Sequence, residues 1–219
     1  MLGAGGARTP KLPLWQRVLF VDFNGVLNHD PFWSSLLTAK AQAMRVPVQS
    51  FVRRVFADNA FVRDWMRGVH SAEDAIRRFD APTLPNAKHG FMLERLIRDC
   101  ASMSLDGEIV QVLQTIRQHS LVVLATDNMD CFVNAIDEKR DISNNFDDVL
   151  CSCEIGVLKE EPEQFFAPWL KRHGLGFRDA VLVDDSAQNC RAFEDAGGSA
   201  LHFTQRDSGL VSLARRFDL

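Results

Sequence analysis

Four places in this chain set chemically capable side chains directly after an apolar run or just before a helix signal. The first is Val18-Leu19-Phe20-Val21, which runs into Asp22-Phe23-Asn24-Gly25. The run is short and mostly β-branched or aromatic, so it reads as a buried strand. A carboxylate just past the C-terminal end of such a strand lies where open α/β sheets carry their reactive groups. An Asn-Gly turn with a solvated Asp22 would leave the same letters. The second is Leu121–Ala125, followed by Thr126-Asp127-Asn128. A hydroxyl and an amide at a strand end can hold a phosphoryl oxygen by hydrogen bonds, although all three residues also cap helices well.

The third place is Ala180–Val183, which ends in Asp184-Asp185-Ser186. Two adjacent acids after a buried strand are an electrostatic cost unless a cation or a helix N-terminus offsets it. Oxygen-only ligands of this kind suit Mg²⁺. Asp22 adds a carboxylate from another strand end, which puts a metal ahead of simple helix capping. The fourth is Lys159, between Gly156 and Pro162, which fix the loop and the start of the next helix. A cation there would neutralise clustered carboxylates and a phosphate.

The elements that must position these groups follow from periodicity. Val18–Val21, Leu121–Ala125, Val149–Cys151 and Ala180–Val183 are strand-like runs, and a shorter strand is expected over Ser199–Phe203. Three of them are continuously apolar, as parallel strands covered on both faces are. Helices are expected over Asp106–His119, Pro162–His173 and Ala187–Ala196, with Asp106 as an N-cap and glycines as stops. This alternation predicts an α/β fold: a Rossmann-like, doubly wound parallel sheet. From about Pro31 to Met103 the apolar residues fall at helical intervals instead. Phe51, Val52, Val55 and Phe56 form one set, Phe61, Val62, Trp65 and Met66 another, and Phe91 to Ile97 a third. Ser71-Ala72-Glu73-Asp74 reads as a capping box. Asp80–Gly90, with Pro82 and Pro85, reads as a loop. A helical insertion over 32–104 therefore interrupts a core made of 14–31 and 105–219, and 1–13 reads as a disordered lead-in.

Composition narrows the function. The net charge of -4 argues against a nucleic-acid partner. No apolar stretch approaches the ~18 residues that span a membrane. The five cysteines form no regular framework and read as reduced thiols in a cytoplasmic protein.

Asp22, Thr126, Lys159 and Asp185 occur in that chain order, and this pattern resembles the haloacid dehalogenase-like (HAD) hydrolase superfamily. Asp22-Phe23-Asn24-Gly25-Val26 matches the family's Asp-x-Asp-x-Thr/Val motif at all positions but one. Thr126 matches its Ser/Thr motif, and Lys159, Pro162 and Phe165 match its Lys-x-x-Pro-x-x-Phe signature. Asp184-Asp185 matches the paired-acid motif, with Ser186 and Asn189 following. The insertion resembles the C1 cap of subfamily I in position and size. The resemblance implies a hydrolase in which Asp22 attacks the substrate and forms an aspartyl ester. It implies Mg²⁺ held by Asp22, the backbone carbonyl of Asn24 and Asp185, with Asp184 as a supporting or alternative ligand. Thr126, Asp127, Asn128 and Lys159 would bind the transferring group of a small phosphorylated substrate. The expected assembly is a monomer or homodimer.

Asn24 is the departure. Phosphatases of the family carry Asp there as general acid and base, and an amide cannot give up and recover a proton. Losing a general acid/base costs about 10²–10⁴ in rate. Three readings stay open: a slow phosphatase, a non-phosphatase reaction such as dehalogenation, and a phospho-ligand-binding pseudo-phosphatase. His29 or Asp30 could supply the missing proton transfer. Phe32 and Trp33 could line the cleft under the cap, and Arg45, Arg53 and Arg54 could face a substrate anion.

Overall fold

A computed structural model describes residues 18–30, 48–80, 86–138 and 140–217. The expectations for 1–13, Phe32, Trp33, Arg45, Pro82 and Pro85 lie outside the described residues. Five parallel strands form one sheet: β1 (Val18–Val21), β2 (Leu121–Thr126), β3 (Asp148–Cys151), β4 (Ala180–Asp184) and β5 (Ser199–His202). Their order is β3-β2-β1-β4-β5. β1 is central, with Val18 opposite Leu121 on one side and Ala180 on the other. The chain leaves β1 toward one edge and later returns to build the other. The C-terminal end of β1 is therefore the switch point, where open α/β sheets form their binding crevice.

Alternation along the strands divides the core in two. Leu19, Val21, Val122, Leu124, Val181 and Val183 belong to one buried cluster, shared with Ile109, Leu113, Phe132 and Leu213. Val18, Phe20, Val123, Ala125, Ala180 and Leu182 belong to the other, shared with Phe165, Phe166, Trp169, Leu170 and Phe193. Helices thus cover both faces, and the doubly wound expectation holds. Among the described residues no helix is long and apolar enough to cross a membrane.

Between β1 and β2 lie α1 (Val48–Ala57), α2 (Asn59–Met66), α3 (Ala72–Asp80) and α4 (Asn86–Ala101). The capping box at α3 forms as expected. Asp74 N–H donates to Ser71 Oγ at 3.2 Å, and Ser71 N–H donates to Asp74 Oδ2 at 2.9 Å. After the insertion come α5 (Gly107–Arg117), α6 (Asp130–Glu138), α7 (Arg140–Ser143), α8 (Ser152–Ile155), α9 (Pro162–Phe165), α10 (Ala167–Arg172), α11 (Ala187–Asp195) and α12 (Arg206–Arg216). Asp106 caps α5 through the N–H groups of Glu108 and Ile109.

Two expectations need correction. Pro162–His173 is not one helix but two, broken at Phe166. Pro168 has no N–H to give the Gln164 carbonyl, so the ladder cannot run through. Asp80–Gly90 is not all loop: Asp80 closes α3 and Asn86–Gly90 begin α4. A glycine inside a helix costs about 1 kcal/mol, and burial of Met92, Leu96 and Cys100 further along α4 outweighs it.

Phe20 is the hinge of the second core layer. Its ring centroid lies 4.8 Å from Phe166, 5.3 Å from Trp169 and 6.1 Å from Phe193. Phe20→Ala should cost about 3–5 kcal/mol of stability, measured as a lower urea midpoint with an unchanged slope.

Candidate active site

All four chemically capable segments converge at the C-terminal ends of the strands. Asp22 leaves β1 with its backbone N–H bonded to the Val183 carbonyl at 2.9 Å, so the first acid is stitched to the strand that carries the pair. Lys159 Nζ lies 2.7 Å from Asp22 Oδ1 and 2.6 Å from Asp184 Oδ2. Lys159 is 1% exposed and Asp184 is wholly buried, so these charges meet out of water. Burial by itself would depress the lysine pKa. Attraction to Asp22, Asp184 and Asp127 outweighs that and holds the ammonium above its ordinary value.

The negative charge exceeds what one lysine offsets. Burial, opposed by Lys159 and reinforced by repulsion from Asp184, pushes the Asp22 carboxyl up to about 7. Asp185 is raised as well, by partial desolvation and then by Asp184. One oxygen each from Asp22, Asp184 and Asp185 lies within 4.8 Å of the others. An all-oxygen, over-negative set of this kind suits Mg²⁺.

The two acids of the pair play different parts. Asp184 Oδ1 accepts from Ser186 N–H at 2.8 Å, and Oδ2 accepts from Lys159 Nζ and from Asn189 Nδ2 at 3.2 Å. Its oxygens are committed to protein donors. Asp185 is exposed and approaches the turn after Asp22. Gly25 makes that approach possible: its φ is +80°, and a Cβ there would stand 2.2 Å from Asp185 Oδ2.

Opposite this cluster the polar residues after β2 form a small network. Asn128 Nδ2 donates to Asn24 Oδ1 at 3.1 Å and reaches Thr126 Oγ1 at 3.4 Å. Asn128 N–H in turn donates to the buried Ser152 Oγ at 3.0 Å. Asp127 Oδ1 accepts the Lys159 backbone N–H at 3.0 Å, which ties the lysine loop to β2. Burial, partly countered by Lys159, raises the Asp127 carboxyl.

A cleft of about 430 Å³ opens above the site. Asn24, Gly25, His29, Asp30, Asp127 and Asn128 line one side, and Phe56 of α1 and Met66 of α2, from the insertion, line the other. Arg53 and Arg54 are exposed on α1 and are not among the lining residues. The sequence reading missed Ser152, Phe56, Met66 and Met129 as parts of the site. Ser152, Phe56 and Met66 read as ordinary helix residues and Met129 as part of a loop, and only the tertiary fold brings them here.

Several contacts fasten the insertion to the core. Asp130, at the start of α6, accepts from Trp65 Nε1 at 2.7 Å and from Ala72 N–H at 3.0 Å. Arg63 pairs with Glu160, and Arg67 Nη2 lies 2.6 Å from Glu161 Oε1. At Gly68, φ +71°, a Cβ would meet the Cys153 carbonyl at 2.2 Å.

The family model for haloacid dehalogenase-like hydrolases matches residues 16–197. The chain belongs to that family and is a hydrolase. A curated relative, the chloroplast flavin mononucleotide hydrolase 1 of Arabidopsis thaliana, is 24% identical over 205 residues, covering 92% of this chain and 76% of its own. A HAD-family enzyme from Bacteroides thetaiotaomicron, solved with magnesium and inorganic phosphate, is 18% identical at TM-score 0.63, covering 89% of this chain and 98% of its own. A 2-haloacid dehalogenase from Pseudomonas syringae is 15% identical at TM-score 0.60, covering 92% and 99%. These structures share the fold with this hydrolase.

The raised Asp22 carboxyl has a measurable sign. From the ordinary carboxylate range, about 4, up to about 7, folded Asp22 keeps a proton that the unfolded chain has lost. Its contribution to stability is full below that window and is lost as pH rises through about 7. In metal-free protein, Asp22→Asn should therefore raise Tm by several degrees at pH 8, and the gain should fade toward pH 5. Thermal melts at the two pH values check it; a variant less stable than the parent at pH 8 would contradict it.

Proposed function

We propose that this hydrolase is a Mg²⁺-dependent phosphatase of the C1-capped type, acting on a small phosphorylated metabolite through an aspartyl-phosphate. The observation that carries the reading is the meeting of Asp22, Asp184 and Asp185 around Lys159 at the switch point. Such a cluster has little purpose in a reaction without a cation, because it leaves buried carboxylates uncompensated.

In this reading an Asp22 oxygen attacks phosphorus, and the bond to the leaving oxygen breaks with its electron pair. Water then attacks phosphorus, releasing inorganic phosphate and restoring Asp22. Oδ1 of Asp22 is occupied by Lys159 Nζ and the Phe23 N–H, and among the described residues no hydrogen bond reaches Oδ2. Oδ2 is thus the oxygen free to react. Thr126 Oγ1 supplies a donor to the phosphoryl oxygens, Asn128 holds Thr126 and Asn24 in place beside it, and Lys159 is the fixed positive charge. Asp127 anchors the lysine loop rather than meeting an anion with its own carboxylate. Asp22, Asp185 and the Asn24 carbonyl would hold Mg²⁺, with Asp184 orienting them. The bound ion would neutralise charge on the phosphoryl oxygens.

Asn24 favours a second reading, because a halide leaves without a proton. The test separates the two. Expected is Mg²⁺-dependent hydrolysis of p-nitrophenyl phosphate that EDTA removes, that Asp22→Asn reduces to background, and that Asn24→Asp keeps or raises. No phosphate release from parent or Asn24→Asp, with metal-independent chloride release from 2-chloropropionate, would replace phosphatase with dehalogenase.

A further inference from the structure

The bond between Asn24 and Asn128 has a chemical consequence for the leaving group. Asn24 Oδ1 accepts from Asn128 Nδ2, which fixes the amide and turns its NH₂ end away from that partner. Asn24 lines the cleft beside the site. It can donate a hydrogen bond to a departing oxygen, but it cannot hand over the proton. The cleft wall adds a second constraint. Phe56, Met66 and Met129 give it an apolar side, and its acidic lining groups are Asp30 and Asp127. Among the described residues, no Lys or Arg lines it.

Resting on the phosphatase reading, we infer that the substrates are monophosphates of an acidic oxygen — a phenol, an enol or an acyl phosphate — on a flat, apolar body without a second anionic group. A phenol at about 10 or a carboxylic acid at about 4 leaves as a stable anion. An alkoxide, close to water at about 15.7, does not. The loose transition state of phosphoryl transfer puts much of the developing charge on that oxygen, so the difference falls directly on the rate. A flat ring can stack on Phe56 and touch the methionine sulfurs. A second phosphate or carboxylate would meet the carboxylates of Asp30 and Asp127. Flavin mononucleotide, the substrate in the name of the Arabidopsis relative, divides the two requirements. Its ring suits the wall, whereas its phosphate sits on a primary alkyl oxygen.

The experiment is a leaving-group series on the Mg²⁺-loaded full chain. It runs from p-nitrophenyl phosphate through phenyl phosphate to alkyl esters, flavin mononucleotide included. The reading is kcat/KM, because that quantity ends when the leaving group departs and is blind to slow release of phosphate from Asp22. Expected is a steep fall along the series in the parent. Asn24→Asp should raise the alkyl esters by about 10²–10⁴-fold and the nitrophenyl ester by less than about tenfold. A flat series in the parent overturns the inference while leaving the phosphatase intact; it would mean that another group, such as His29 in the same cleft, gives the proton. Silence on every phosphate in both proteins overturns the reading underneath as well. Binding gives an independent check. In Asp22→Asn, calorimetry should find phenyl phosphate or flavin mononucleotide tighter than glycerol phosphate or a sugar bisphosphate. The reverse order overturns the cleft argument.

Discussion

Lys159 Nζ stands 2.7 Å from Asp22 and 2.6 Å from Asp184, out of solvent, and the buried carboxylates of the site lean on that one ammonium. Removing the lysine would leave its buried carboxylate partners uncompensated, which costs about 3–5 kcal/mol. Here the imbalance is already present, because Asp127 and Asp185 add further carboxylates around the same ammonium. The fold keeps them together by main-chain means. Asp22 is bonded to the strand of Asp184, and Asp127 to the backbone of Lys159. The cluster is therefore poised: held by the sheet, and short of positive charge by design of its composition.

The sheet order explains how residues far apart in sequence reach one point. β1 contributes Asp22 from the centre, β2 brings Thr126 and Asn128 from one side, and β4 brings Asp184 and Asp185 from the other. Crowding is the result, and Gly25 is its clearest sign. The turn after Asp22 passes so near Asp185 that only a residue without a side chain fits. The same turn adopts a left-handed backbone that glycine tolerates best. One residue thus meets a conformational and a steric demand together.

The sheet was the most legible part of the sequence. β1 has the bounds its apolar run predicts, and β2 and β4 each extend one residue further, to Thr126 and Asp184. Buried parallel strands advertise themselves because both faces must be apolar. The catalytic candidates were legible for a related reason: charge placed where a buried strand ends is costly and conspicuous. What sequence alone did not yield depended on distant partners. α6 and α12 drew no helix expectation from the sequence, and they bury Phe132, Ile136 and Leu213 in the shared core. Pro168 broke a helix that local pattern had drawn as one. Ser152 and Met66 look like any other helix residue until the fold sets one under Asn128 and the other across from Asn24.

The fastening of the insertion has a mechanical meaning. Arg63 and Arg67 of α2 grip Glu160 and Glu161, and these two residues directly follow Lys159 in the chain. The hand that covers the cleft is thus holding the same short tether that carries the ammonium. If α2 swings outward, it must either let go of both glutamates or tug the tether and the charge with it. The opening of the cleft and the placing of the Lys159 ammonium share a single lever.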